Sequence, residues 1–184
     1  MKPNWSVVKL DRVLQHRKEF VTIDDTQSYK RCRVQLHAKG IVPRDTVLGV
    51  EVKTKKQQLC RAGEFLVAEI DAKVGGYGIV PDELVGAIVS SHYFLFQVNE
   101  KVLNRQFLGY YIQTKDFYEQ VKAQGSTNYA AVRPEQVLDY KIPLPPLTEQ
   151  QRIVARIELF TKKIEQARYL RKLASVWPKT LFFN

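Results

Sequence analysis

The side chains able to do covalent or metal chemistry are few in this sequence, and their spacing suits little of it. Asp71-Ala72-Lys73 has the D-x-K form of many metal-dependent nucleases, in which an upstream acid such as Asp45 or Glu51 would complete a cation site. A tripeptide of that form arises often by chance, so a nuclease is an alternative reading and not the leading one. His16, His37 and His92 lie far apart with no nucleophile motif beside them, which leaves general acid-base and covalent catalysis without support. Neither GxxxxGK(S/T) nor HExxH occurs, and "GGYG" at 75–78 follows a strand-like run with no convincing helix behind it, a poor nucleotide loop. Cys32 and Cys60 are the only cysteines. Without ligand spacing to each other or to a histidine, they are expected as buried thiols, with no metal site and no disulfide framework. No catalytic residue is assigned.

What the composition offers instead is charge. The chain of 184 residues has 29 Lys or Arg against 19 Asp or Glu, a formal net charge of +10. The excess is regional: residues 1–60 carry 13 basic against 6 acidic side chains, residues 61–147 carry 8 against 10, and residues 148–184 carry 8 against 3. Such a distribution favours a polyanionic partner such as nucleic acid, because each neutralised phosphate releases counterions and adds affinity independent of sequence. Solubility alone is the plainer reading. With 45% apolar residues the chain can bury a substantial core. No apolar run approaches the roughly 20 residues of a membrane span, and "MKPNWSVVKL" lacks the apolar centre of a signal peptide, so a cytoplasmic protein with no membrane partner is expected.

The elements that must position these charges read as mixed, with strands dominating the middle. "VVKLDRVLQHRKEF" fits a short surface helix or a strand followed by one, and the pattern does not decide. "TVLGVEVKTKK" alternates and is β-branched, which predicts a strand leaving through a basic loop at Lys53, Lys55 and Lys56. "GEFLVAEIDAKV" and "GAIVSSHYFLFQV" are stronger strand candidates, joined by the turn-rich "GGYGIVPDELVG". From Val102 to Gln124 the period becomes helical, with a break near Thr114 and Gly125 placed as a C-cap. "RPEQVLD" starts a short helical turn with Pro134 in its first turn, and "YKIPLP" is extended.

The stretch "IPLPPLTEQQRIVARIE" then switches sharply. Pro143, Pro145 and Pro146 hold the chain extended, after which Thr148 and Gln151 fit a capping box and Glu149 suits the positive helix end. Ile153, Ile157, Phe160, Ile164 and Ala167 follow at spacings of 4, 3, 4 and 3, a coiled-coil seam that needs a partner helix. The rod runs to about Trp177, where Pro178 stops it, and spans about 43 Å at 1.5 Å per residue. A helix folded back on the domain is the alternative.

These residues also resemble a known family. "IPLPPLTEQQRIVARIE" is similar to the junction between target recognition domain and conserved helix in the specificity subunits of type I restriction-modification systems. "NWSVVKL", "CRAGEFLVAEIDAKVGGYGIVPDELVGAIVSSHYFLF" and "QGSTNYAAVRPEQVLDYKIPLPPL" resemble that family's opening, central and closing blocks. The resemblance implies an α+β chain: a strand-rich target recognition domain over residues 1–147, a conserved coiled-coil helix over 148–178 and a tail over 179–184. It also implies a non-catalytic subunit that reads one half of a bipartite double-stranded DNA target. Its helix would pair with another and dock modification subunits, which bind S-adenosylmethionine and methylate adenine. Through them it would meet restriction motor subunits that use ATP and Mg; no cofactor is expected on this chain itself. Family members carry two recognition domains and two helices, so one of each here implies either a half-length subunit acting as a homodimer or a fragment.

On that reading Lys53, Lys55 and Lys56 are candidate phosphate contacts, since flexible ammonium groups give affinity with little sequence information. Arg44, Lys73, Tyr77, Ser126, Thr127 and Asn128 are candidates near base edges, where Arg pairs with guanine and Asn with adenine, and Arg133 joins the DNA-binding set. The plainer readings are solvated surface for the cations, packing for Tyr77 and a simple turn for "GSTN". Ile153, Ile157, Phe160 and Ile164 are the candidate helix-partner interface. A scaffold that recruits proteins through its helix, without DNA specificity, is the main competitor.

Overall fold

Short β-branched and aromatic runs separated by turn residues fold as strands, and the chain reserves regular helix for its second half. The computed structural model describes residues 5–123 and 131–176. In chain order come β1 (Ser6–Lys9), β2 (Leu14–Arg17), β3 (Val21–Thr22), β4 (Ser28–Gln35), β5 (Gly40–Leu48), β6 (Lys56–Leu59), β7 (Phe65–Ala68), β8 (Tyr77–Ile79), β9 (Ile88–Val89) and β10 (Tyr93–Val98). Then follow α1 (Arg105–Tyr111), α2 (Lys115–Ala123), α3 (Pro134–Asp139), β11 (Lys141–Leu144) and α4 (Leu147–Val176). The fold is α+β, a strand-rich domain followed by one long helix.

Two sheets build the domain. One has the order β2-β10-β7-β8 and the other β3-β6-β9-β4-β5, while β1 and β11 form a separate antiparallel pair. All four residues of β7 are buried, as are Phe94, Leu95 and Phe96 of β10, so both faces of this sheet's centre are covered. On one side lies an aromatic cluster whose hub is Phe117 of α2, with ring centroids 5.3 Å from Tyr77, 5.6 Å from Tyr140, 5.8 Å from Tyr111 and 6.3 Å from Phe65, all edge-on. On the other side Leu66 and Leu95 meet Cys32, Ile41, Val80, Leu84 and Val89. A third, smaller cluster joins Ile23, Val52 and Ile88 with Tyr29 and Val47 packed against it.

Between the sheets a buried ion pair replaces apolar contact. Arg17 Nε lies 2.5 Å from Glu64 Oε1 and its NH2 reaches both Glu64 Oε2 at 2.9 Å and the Leu59 carbonyl at 2.6 Å. Glu64 also accepts from the Arg61 amide at 2.8 Å, so neither buried charge lacks partners. The two thiols are buried and free, with Sγ atoms 4.0 Å apart. They meet over β9: Cys60 donates its amide to the Ala87 carbonyl, and β4 flanks β9 on the other side.

The prolines at the end of the domain do hold an extended exit. β11 pairs with β1 from Ser6↔Leu144 to Lys9↔Lys141, and Ile142 is fully buried. The helix that follows is entered differently from the expected capping box. Its start lies at Leu147, and the Pro146 carbonyl accepts from the amides of Glu149 at 2.9 Å and Gln150 at 3.0 Å, which places Thr148 inside the first turn. The anchor is Gln150, wholly buried: its Oε1 accepts from the Asn104 amide at 2.8 Å, and its Nε2 donates to the carbonyls of Val102 at 2.9 Å and Pro145 at 2.8 Å. Arg152 covers Glu149 with two bonds of 2.7 Å. Val154 is the last buried residue of α4 among those described, and residues 158–175 are exposed throughout. That exposed part extends about 27 Å at 1.5 Å per residue.

Elsewhere the expectations are met in part. The undecided N-terminal run is two strands around a single 3-10 turn, "GAIVSSHYFLFQV" divides into β9 and β10, and the turn-rich connector contains β8. The helical stretch breaks between Tyr111 and Lys115 as its period suggests, and Pro134 opens α3. Gly125 and Pro178 lie outside the described residues.

Candidate nucleic-acid interface

The longest ribbon of the domain, β4–β5, carries Lys30, Arg31, Arg33, Arg44 and Asp45, and one irregularity sets its geometry. Arg31 opposes Asp45 but Cys32 opposes Pro43, so Arg44 is an extra residue with no partner across the ladder. A bulge of this kind bends the strand and re-aims a side chain. It also reverses which face β5 presents. Ile41, opposite Val34, belongs to the cluster under the four-stranded sheet, whereas Val47, opposite Tyr29, belongs to the small third cluster. In an unbroken strand residues six apart would share a face.

Beside the bulge is an open cleft of about 430 Å³ whose lining includes Arg31, Arg44, Glu51, Lys53, Gln57 and Tyr93. Asp45 organises its basic side. Arg31 donates to both carboxylate oxygens, Nε to Oδ1 and NH2 to Oδ2, each at 2.6 Å, and Arg44 Nε stands 3.6 Å from Oδ2. The hydrogen bonds from Arg31 hold the Asp45 carboxyl below the ordinary carboxylate range and raise the Arg31 guanidinium in turn. Arg31, Gln57 and Tyr93 were not singled out by sequence reasoning, and Asp45 was weighed only as an acid of the D-x-K alternative. A cross-strand Arg/Asp pair is the signal that was available for Arg31 and Asp45, had the hairpin been placed.

The ribbon's tip is fastened. His37 and Ala38 occupy the left-handed region, at φ 60° and 52°, which costs residues with a Cβ about 1 kcal/mol or more each. Their amides donate to the carbonyls of Val74 and Gly75, both at 2.8 Å. Gly75 permits the approach, because a Cβ there would stand 2.7 Å from the Ala38 nitrogen. Gly78 likewise lies against the hairpin, where a Cβ would stand 3.2 Å from Gly40 Cα, while Gly76 packs against Asp71. Asp71-Ala72-Lys73 leads into the hairpin-tip contact as a 3-10 turn with Ala72 buried. Of the acids that could have completed a D-x-K site, Asp45 is engaged by Arg31 and Glu51 accepts from the Leu48 amide. Among the described residues no cluster of three or more His, Cys, Asp or Glu could hold a metal.

The sequence-selected residues therefore separate. Arg44 and Lys53 share the cleft. Lys55 is engaged by Asp25 and by the Gly49 carbonyl at 2.7 Å, and Lys56 lies over the Phe20 ring at 4.8 Å, on the β3 side of the sheet. Lys73 is half-buried on its turn. Tyr77 is corrected: it is 1% exposed within the aromatic cluster, so it cannot meet a base edge, and its hydroxyl has no partner among the described residues. Arg133 NH1 is 3.4 Å from Glu69 Oε1, whose other oxygen is 2.7 Å from His92 Nδ1. Ser126, Thr127 and Asn128 lie outside the described residues. On α4, Ile153 is partly buried against the domain core, Ile157 is half-buried, and Phe160 and Ile164 are about half exposed, with the Arg156 guanidinium 5.7 Å from the Phe160 ring. Leu159, Leu170 and Leu173 extend this exposed apolar set along the helix.

Comparison with known proteins assigns this architecture. The family model of the type I restriction modification DNA specificity domain matches residues 4–173, spanning both the strand-rich domain and most of α4. The chain belongs to this family. It is 27% identical over 172 residues to the type I restriction enzyme MjaVIII specificity subunit of Methanocaldococcus jannaschii, covering 88% of this chain and 40% of that protein. The crystal structure of the HsdS subunit from Thermoanaerobacter tengcongensis superposes with a TM-score of 0.76 at 25% identity, over 95% of this chain and 46% of that one. A structure described as showing complex assembly and conformational transition of a type I R-M system gives 0.74 at 24% identity over 99% and 52%, and shares the fold. The chain spans about half the length of these relatives, or somewhat less. No helix among the described residues is long and apolar enough to cross a membrane.

Proposed function

We propose that this chain is a DNA-recognition half of a type I restriction-modification specificity unit. Its strand-rich domain reads one half of a bipartite duplex target, and α4 pairs with a second such helix. The observation that carries the reading is the family match across domain and helix together, in a chain whose helix leaves Phe160, Ile164, Leu170 and Leu173 uncovered. Duplex binding would use the bulge cleft with Arg44 and Lys53, with Lys73 and Arg133 as further contacts, phosphates supplying affinity and base edges specificity.

Two copies with antiparallel helices would hold two recognition domains about one helix length apart, comparable with the ~34 Å turn of B-DNA, and read an interrupted palindrome. The paired helices would also dock modification subunits, and restriction motor subunits through them, in the cytoplasm. S-adenosylmethionine, ATP and Mg belong on those partners in this scheme. The test is selection from a randomised duplex pool by the chain with its cognate modification subunit. Enrichment of a motif is expected; none from an active complex would leave a helix-mediated scaffold as the function.

A further inference from the structure

We infer that Asp45 is a specificity-determining positioning residue, which anchors on Arg31 and restrains Arg44 so that the free end of Arg44 reads a guanine. The inference rests on the DNA reading above and concerns what the bulge does with it. Arg44 is the one β5 residue outside the ladder, and its side chain is 58% exposed at the mouth of the cleft. A long exposed arginine on its own samples many rotamers, and ordering it at a base would cost much of the contact's worth. Here the neighbouring carboxylate, an ion-pair partner 3.6 Å from Arg44 Nε, biases that freedom. Asp45 is itself immobilised by the two 2.6 Å bonds from Arg31, across the strand pair, and it faces the Nε edge of Arg44 at 3.6 Å.

An arginine whose Nε edge faces a carboxylate keeps its two terminal nitrogens for a ligand. That fork matches guanine O6 and N7 in the major groove, the one base edge with two adjacent acceptors. The carboxylate adds discrimination in the other direction. Its charge offsets one of the two guanidinium charges beside it, which lowers the pull of this spot on phosphate oxygens and leaves the fork for an uncharged base edge. A two-stranded ribbon is also an element that the major groove admits.

The test is the same selection, run with the full chain and its modification subunit, on wild type, Arg44→Ala, Asp45→Asn and Arg31→Lys. Wild type should enrich a motif with a guanine that Arg44→Ala no longer prefers, a loss of about 5- to 150-fold in discrimination at that position. Asp45→Asn is isosteric at a part-exposed site; it should lose at least fivefold preference at the same position while total duplex affinity holds or rises. Arg31→Lys keeps the charge but not the fork, and should weaken the same preference. Unchanged discrimination in Asp45→Asn, or a change at a different position from Arg44→Ala, overturns the inference and leaves the DNA reading standing. A wild-type complex that enriches no motif overturns both.

Discussion

Replacing Gln150 by alanine should release the long helix from its domain, although the residue is one uncharged side chain in a helix otherwise rich in charge. Three protein groups depend on its amide: the Asn104 N–H and the carbonyls of Val102 and Pro145, at 2.8, 2.9 and 2.8 Å. A net hydrogen bond contributes about 1 kcal/mol, and each buried group left without a partner costs about 1–3 kcal/mol. Water entering the space left by the side chain offsets part of this, so a loss of about 3 kcal/mol is expected. For a chain of this size that lowers Tm by roughly 6–12 °C. The control is Gln151→Ala. Gln151 is exposed, and it is the residue a capping-box reading of the sequence would have chosen; its removal should move stability by no more than about 0.5 kcal/mol. Thermal and denaturant unfolding of the two variants decide the matter. If Gln150→Ala melts within about 2 °C of the wild type, or if Gln151→Ala is the more damaging, the account of the junction is wrong.

Other consequences are equally open to measurement. Ile157→Asp with Phe160→Asp should abolish self-association through α4, and a double variant that stays dimeric by light scattering would refute the helix pairing. Removing the Glu64 carboxylate by Glu64→Ala leaves the Arg17 charge buried and should cost about 3–5 kcal/mol in denaturant titrations; a neutral result would mean that Arg17 finds water. Burial pushes the Tyr140 phenol up to about 12 and raises Tyr77 as well, against about 10 in an unfolded chain. The neutral phenols therefore stabilise the fold fully below pH 10, and that contribution falls as pH rises from 10 towards 12. Absorbance titration at 295 nm should show these two ionising only as the protein unfolds; reversible ionisation with the exposed tyrosines near pH 10 would contradict it.

What the sequence displays well is what local chemistry decides. The proline exit, the break near Thr114, the Pro134 start and the long helix all follow from backbone restraint and period, and all appear in the structure. Of the β4–β5 ribbon only Thr46–Leu48 fell within the strand predicted over "TVLGVEVKTKK", which in the structure ends at Leu48 before a 3-10 turn at Gly49–Glu51; the rest went unmarked because its apolar side chains change faces midway, Ile41 to one cluster and Val47 to another. Its tip carries His37 and Ala38 where a hairpin signal would have Asn-Gly, the strain being met by bonds to residues 74 and 75 that no local reading can foresee. For the same reason Arg44 was selected for its charge alone while its partner Asp45 was considered only as a metal ligand. Tyr77 shows the converse, an aromatic residue beside flexible glycines that tertiary packing takes wholly inside. Ile153 and Gln150 show that the first two turns of α4 belong to the domain, which heptad spacing does not distinguish from the projecting turns after them.

The bulge separates two kinds of tolerance at one position. Because the Arg44 side chain is largely exposed and belongs to none of the apolar clusters, other side chains can stand there without disturbing the domain, and the position is free to drift as a recognition site diverges. Its backbone is not free in the same way. Deleting the residue would turn either Ile41 or Val47 out of its cluster and carry one half of the ribbon to the wrong face. The domain thus accepts a new letter at residue 44 but not a missing one, and a lineage exploring new targets can vary what this slot says while its length stays fixed.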